Sequence, residues 1–353
     1  MAVTHLTIQH FRCIAEASLP FHEHENLIVG RNASGKTTLL EALFYLGHGR
    51  SFRGTPSRGL VQDGEKSLTL FARLTEPDGQ LGIQAGASGM TVKIDGARAH
   101  SRSSLVTRLP VQVIEPGIHK LIEEGPVQRR GFLDWGVFHV EHLFYSTWRR
   151  YKKALDQRNA GLRDHLPVNQ VSVWNDTLIA AGEEVNSQRE RYLDKLRPFL
   201  DQAGMALFDT PLECVFHRGW DAEQTLAQAM ANNAERDARL ARTHAGPHRA
   251  DIRVRFGDRL ARARVSRGQQ KLLAAGLVLA QLAMFEKELG KPAVLLIDDP
   301  AAELDRHSLK RLLNYARTIP AQRFITALEE PLIDADNGAS VFHVERGEVE
   351  KMV

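Results

Sequence analysis

The chain has 353 residues, of which 43% are hydrophobic and 25% charged, enough for two or three domains with a buried core. Its formal net charge of +3 permits a nucleic-acid partner without demanding one. The two cysteines, Cys13 and Cys214, exclude a disulfide framework and a zinc site and fit a reducing cytosol. The N-terminus lacks the layout of a signal peptide. The longest apolar stretch, 272–285, is too short for a bilayer, so a cytoplasmic protein with no membrane partner is expected.

In chain order, residues 1–30 read as strands, with Leu6 and Ile8 early and Leu27, Ile28 and Val29 just before a glycine-rich loop. A helix is expected over 36–46, apolar at Leu39, Leu40, Leu43 and Phe44 and stopped by Gly47. Residues 55–114 read as strands, with turns at Asp78-Gly79 and Asp95-Gly96. From 118 to 241 the text is mainly helical. Strand text returns at Asp251 with a hairpin turn at Gly257-Asp258, then a long helix after Ser266, the apolar strand 293–297 and an α/β tail. The pattern is an α/β domain, 1–117 and 242–353, split by a mainly helical lobe at 118–241.

Residues 30–37, GRNASGKT, satisfy G-x-x-x-x-G-K-[ST] between a strand and a helix. Gly30, Arg31, Asn32, Ala33, Ser34 and Gly35, with Thr38 just beyond, would turn backbone N–H groups toward phosphates at the helix N-terminus. Lys36 would reach the β- and γ-phosphates of ATP, and Thr37 would ligate Mg²⁺. The run 293–299, AVLLIDD, reads as a central parallel strand ending where ligands sit in such sheets. Asp298 would hold Mg²⁺ and Asp299 would orient or deprotonate the attacking water.

The segment 265–273, VSRGQQKLL, resembles the ABC signature. Ser266, Gly268 and Gln269 would offer donors to a γ-phosphate, although Ser266 also reads as an ordinary helix N-cap. Gln112 resembles the Q-loop glutamine that touches Mg²⁺ and the attacking water, and AAELD at 301–305 resembles the D-loop. Together with GHGRSFRG (47–54), EEGPVQRRGFLDWGVFH (123–139) and AGPHRADI (245–252), these motifs resemble the RecF family over most of the chain. The resemblance implies a P-loop ABC-type ATPase head, a mixed sheet with flanking helices, carrying a helical lobe where SMC proteins carry coiled coils. Two departures stand out. Ala302 replaces the usual D-loop serine, and Thr326 occupies roughly the place of a switch histidine, so slow hydrolysis is expected. Arg53 reads either as a surface arginine or as one that approaches the nucleotide or a partner subunit.

One phosphate loop and one signature per chain imply, by two-fold symmetry, that two copies sandwich two ATP molecules. Basic stripes suit phosphate contacts without base readout: Arg149, Arg150, Lys152, Lys153, Arg158 and Arg163 on one helix, Arg253, Arg255, Arg262 and Arg264 on a hairpin. The family resemblance further implies binding at single-strand/double-strand gaps. It also implies cooperation with RecO- and RecR-type mediators to load recombinase, and roles in repair, replication restart and the SOS response. The competing readings are an ABC-transporter ATPase subunit and an SMC-like DNA tether. Against the tether, 118–241 lacks sustained heptads.

Overall fold

The structure is a computed structural model and describes residues 2–75, 78–99, 101–256, 259–260, 265–329 and 338–352. The chain forms two compact units, one of Met1–Ile118 with Phe285–Val353 and the other of His119–Met284.

The first unit holds two six-stranded sheets. One is antiparallel, in the spatial order Ile14–Pro20, Val3–Phe11, Ser67–Leu74, Gly79–Gly86, Gly89–Ile94, Ala97–Ala99. Strict alternation would place Val3 and Leu6 on opposite faces, yet both are buried. A register shift between Val3 and His5 resets the phase, as a bulge does. The turn at Asp95-Gly96 has both residues at positive φ, 51° and 82°, the conformation a tight hairpin needs. The stretch read as all strand also contains a helix, Arg102–Arg108. It starts where the Ser101 hydroxyl accepts the Ser103 N–H.

The other sheet has the order Glu348–Lys351, Ser340–Glu345, Glu25–Val29, Ala321–Ala327, Ala293–Ile297, Val111–Ile114. Every neighbour is parallel except the edge pair Ser340–Glu345 and Glu348–Lys351. Glu25–Val29, Ala293–Ile297 and Ala321–Ala327 are buried along their whole length, as strands covered on both faces must be. The helix Lys36–His48 packs against strands of both sheets and buries every residue but Thr37. It runs through Gly47 and stops at Gly49 in the left-handed region, two residues beyond the expected stop.

The second unit is mainly helical, with Pro126–Val140, Phe144–Arg163 and the 34-residue Asn175–Phe208 as its chief elements. It also carries a three-stranded antiparallel sheet of Arg259–Leu260, Asp251–Phe256 and Leu212–His217. Six residue pairs tie Asp251–Phe256 to Leu212–His217. That pairing keeps the chain beyond 241 in the helical unit, whose boundary falls at Met284 rather than at the expected 241. The turn Gly257-Asp258 and the basic residues Arg262 and Arg264 lie outside the described residues.

Candidate functional site: a phosphate loop closed by an acidic strand end

The parallel sheet brings the ends of Glu25–Val29, Ala293–Ile297 and Ala321–Ala327 to one edge, because all three strands run the same way. The phosphate loop follows the first and Asp298-Asp299 follows the second. Close approach explains the loop's glycines. A Cβ on Gly30 would stand 2.3 Å from the Val344 carbonyl oxygen, and Gly35 adopts φ 121° with Cys13 Sγ only 3.2 Å from where its Cβ would be. Ala33 also sits at positive φ, 62°.

Lys36 is buried, and its Nζ donates to the carbonyl oxygens of Gly30 at 2.5 Å and Arg31 at 2.9 Å. Burial lowers its pKa, while the charges of Asp299 and Asp298 act the other way. Thr37 Oγ1 lies 3.0 Å from each oxygen of the Asp298 carboxylate. Asp298 is itself buried, which raises its pKa; bonds from Thr326 and Thr37 pull it back, and the charge of Arg53 helps.

Thr326 is the residue that sequence reasoning undervalued. Fully buried, it donates through Oγ1 to Asp298 Oδ1 at 2.9 Å and accepts the Asp299 N–H at 2.7 Å. It therefore holds both aspartates from the neighbouring strand. Asp299 sits in the left-handed region, φ 46°, and its Oδ1 is buried without a partner among the described residues. Ser34 Oγ, in the phosphate loop, is in the same condition. Orphaned buried polar atoms at a loop edge are what a bound ligand would satisfy.

Gln112 is corrected by the strand register. It pairs with Leu295, three residues before Asp298, which is roughly 10 Å along a strand. That spacing does not support a metal-touching role. The Asp298 N–H bonds the Ile114 carbonyl at 2.8 Å, so the residue level with Asp298 is Glu115. The Glu115 carboxylate accepts the Gly117 N–H at 2.8 Å.

A second missed group steadies the loop helix. Glu41, wholly buried, binds Arg12 through Nε and Nη2 and also accepts the Ser51 hydroxyl. Ser51 Oγ in turn accepts the Arg53 N–H at 3.0 Å, and Arg12 also donates to Thr55 at 2.8 Å. The GHGRSFRG segment is thereby pinned to the helix that starts at Lys36, with Arg53 exposed.

Ser266, Gly268 and Gln269 belong to the second unit, at the start of the helix Arg267–Leu289. Ser266 Oγ accepts the Gln269 N–H at 3.4 Å, and Gln269 Oε1 accepts the Ser266 N–H at 3.0 Å, a reciprocal cap. All three are exposed, and among the described residues a Cβ on Gly268 would meet nothing within 4 Å. Ala302 of the D-loop is exposed too.

The basic stripes divide. Arg149, Arg150, Lys153 and Arg163 are exposed; Lys152 is exposed but paired with Asp156 at 2.7 Å. Arg158 turns inward to Asp237 at 2.9 Å and is removed from any surface role. Arg253 is exposed, and Arg255 lies 3.6 Å from Glu213.

A phosphate loop bonded to a carboxylate at the end of a buried parallel strand, on a sheet of this order, defines an ATPase head of the ABC and SMC type. A family model described as "RecF/RecN/SMC N terminal domain" matches residues 2–350. Among curated relatives, the "DNA replication and repair protein RecF" of Hydrogenovibrio crunogenus is 39% identical over 97% of each chain. The protein of that name from Shewanella frigidimarina is also 39% identical, over 98% of each. A solved structure of the recombination mediator protein "RecF-ATP in RecFOR pathway" aligns with TM-score 0.89 and 25% identity, covering 100% of this chain and 98% of that one. An SMC head bound to the C-winged helix domain of ScpA aligns with TM-score 0.59 and 16% identity over 100% and 98%, a likeness of fold. The chain belongs to the RecF family. Among its described residues no helix is long and apolar enough to cross a membrane.

Proposed function

We propose that the chain is an ATP-dependent DNA-binding protein of replication and repair. It dimerises on ATP, clamps single-stranded or gapped duplex DNA, hydrolyses ATP slowly, and works in the cytoplasm with mediators of the RecO and RecR type. The observation that carries the reading is the Thr37–Asp298–Thr326 chain of bonds beneath the phosphate loop. Family membership and the relatives' names as replication and repair proteins add the DNA partner.

ATP would lie along residues 30–38, and its phosphates would take Lys36 Nζ from the Gly30 and Arg31 carbonyls. The site offers a hydroxyl and a carboxylate, the hard oxygen donors that Mg²⁺ accepts alongside substrate phosphates. Thr37 and Asp298 would hold the ion, which when bound neutralises charge between the β- and γ-phosphates. Asp299, its Oδ1 unpartnered among the described residues, would accept a hydrogen bond from the attacking water.

Gly268 supports the dimer. Glycine is a poorer helix former than alanine, and among the described residues nothing lies within 4 Å of where a Gly268 Cβ would stand. A γ-phosphate held by a second copy would need it. The test is the affinity of gapped duplex DNA with and without ATP and Mg²⁺, for the native chain and for Lys36→Ala. Nucleotide should tighten binding by the native chain and leave Lys36→Ala unmoved. Equal affinity of the native chain in both conditions would contradict the proposal.

A further inference from the structure

The segment 245–252, AGPHRADI, takes no part in the nucleotide site, yet side chains from three helices of its own unit bond to it. Arg189 of Asn175–Phe208 donates Nη1 to the Pro247 carbonyl at 2.8 Å, while Nε and Nη2 grip the Asp134 carboxylate at 2.9 and 3.0 Å. Tyr151 of Phe144–Arg163 meets His248 Nδ1 at 2.6 Å. Arg130 of Pro126–Val140 donates Nη1 to the Ala250 carbonyl at 2.7 Å. His248 Nε2 faces the Thr243 carbonyl at 3.0 Å; a carbonyl only accepts, so Nε2 carries the hydrogen and Nδ1 accepts from Tyr151. Gly246, at φ 137°, has no room for a side chain, since a Cβ would stand 2.4 Å from the Tyr151 hydroxyl.

Ala245, Gly246, Pro247 and Ala250 are buried in consequence, and Arg249 is left exposed on a fixed turn. Its side chain makes no hydrogen bond or ion pair among the described residues. The nearby carboxylates are already engaged: Asp134 by Arg189, and Asp251 by Arg129 at 2.7 and 3.1 Å. Arg130 spends one Nη on a neutral carbonyl and has no carboxylate within bonding distance among the described residues. Burial, then the charges of Arg189 and Arg249, lower its pKa, while Asp134 and Asp251 act the other way. Four guanidiniums, Arg129, Arg130, Arg189 and Arg249, thus share two carboxylates, and a bound anion offsets the remaining positive charge. The backbone beneath Arg249 is already fixed, so binding orders only its side chain, whose guanidinium suits the oxygens of a phosphate.

We propose that this turn is a phosphate-binding site in which Arg249, seconded by Arg130, grips a phosphodiester of a nucleic-acid backbone. The inference rests on the DNA-binding reading above and adds to it a contact outside the basic stripes read from the sequence. The phosphate of a nucleotide held by a second copy has the same chemistry, so the test separates the two sources.

Anisotropy of labelled gapped duplex DNA is measured across a salt range for the native chain, Arg249→Ala, Arg249→Lys and Arg249→Glu. ATP binding and ATP-dependent sedimentation are measured in parallel. Arg249→Ala should weaken DNA binding about tenfold and reduce the slope of log affinity against log salt by about 1. Arg249→Lys should recover part of the loss, Arg249→Glu should lose more, and all three should bind ATP and sediment as the native chain does. A DNA curve for Arg249→Ala that overlays the native one overturns the site. So does loss of ATP-dependent sedimentation with DNA affinity unchanged, which assigns the phosphate to nucleotide. Native protein that binds no DNA at any salt would overturn the DNA reading itself, and this site with it.

Discussion

The hydroxyl of Thr326 donates to Asp298 Oδ1 at 2.9 Å, and in the same position it accepts the Asp299 N–H at 2.7 Å. One side chain on the neighbouring strand thus fixes both carboxylates that the acidic strand end contributes. Thr326→Val keeps the shape and removes both bonds. We expect a loss of about 1–3 kcal/mol in unfolding free energy, because a buried N–H and a carboxylate oxygen lose their partners. ATP turnover should fall with it, while Thr326→Ser should retain most of both. Denaturant unfolding and phosphate release measure the two effects; a Thr326→Val protein equal to the native one in both would remove Thr326 from the site.

Gly268 yields the opposite combination. Among the described residues its Cβ position is open, so Gly268→Ala should leave the monomer as stable as before or stabilise it by up to about 1 kcal/mol. If a phosphate approaches that backbone in the dimer, the same change should weaken ATP-dependent association. Thermal unfolding and sedimentation, taken together, check the pair. A variant that dimerises as the native chain does would mean that nothing approaches Gly268.

Two partly buried histidines set a pH dependence. Burial holds His248 down to about 4 and His139 to about 3, against an unfolded value near 6.5. Below pH 6.5 the unfolded chain takes up protons that the folded chain refuses, so folding becomes less favourable as pH falls. The contribution is fully present above about 6.5 and declines toward about 4 and 3, by up to roughly 1.4 kcal/mol per pH unit for each group. Urea midpoints should therefore drop between pH 7.5 and 5, and His248→Gln should flatten the slope. Asp298 acts in the reverse sense. Burial raises its pKa, so its share is present at low pH and is lost as pH rises through the raised carboxylate range.

Some of this was legible because it is local in sequence. The strand–loop–helix around Lys36 and the apolar run ending at Asp298 each carry their own pattern of spacing and burial, so the fold class and the core of the site could be read directly. Thr326 could be placed but not understood, since its role depends on a bond to a residue 28 positions away. Gln112 was misplaced because strand register is set by pairing with Leu295, which no local pattern reveals. Glu41 looked like one more charge on a helix; only the fold shows that it faces Arg12 and Ser51 from a fully buried position. Arg158 shared a basic helix with its neighbours, and helical phase turned it inward to Asp237. The later domain boundary moved because Asp251–Phe256 pairs back with Leu212–His217 of the helical unit, a long-range pairing that no local pattern shows.

The central claim is that ATP bound at Lys36 in one copy is completed by Ser266 of another. Sedimentation velocity of the native chain and of Ser266→Arg, each with and without ATP and Mg²⁺, tests it most directly. The native monomer should become a dimer on adding ATP, and the Ser266→Arg chain should bind ATP yet stay monomeric. A Ser266→Arg chain that dimerises on ATP as the native one does, or a native chain whose sedimentation ignores ATP, would contradict it.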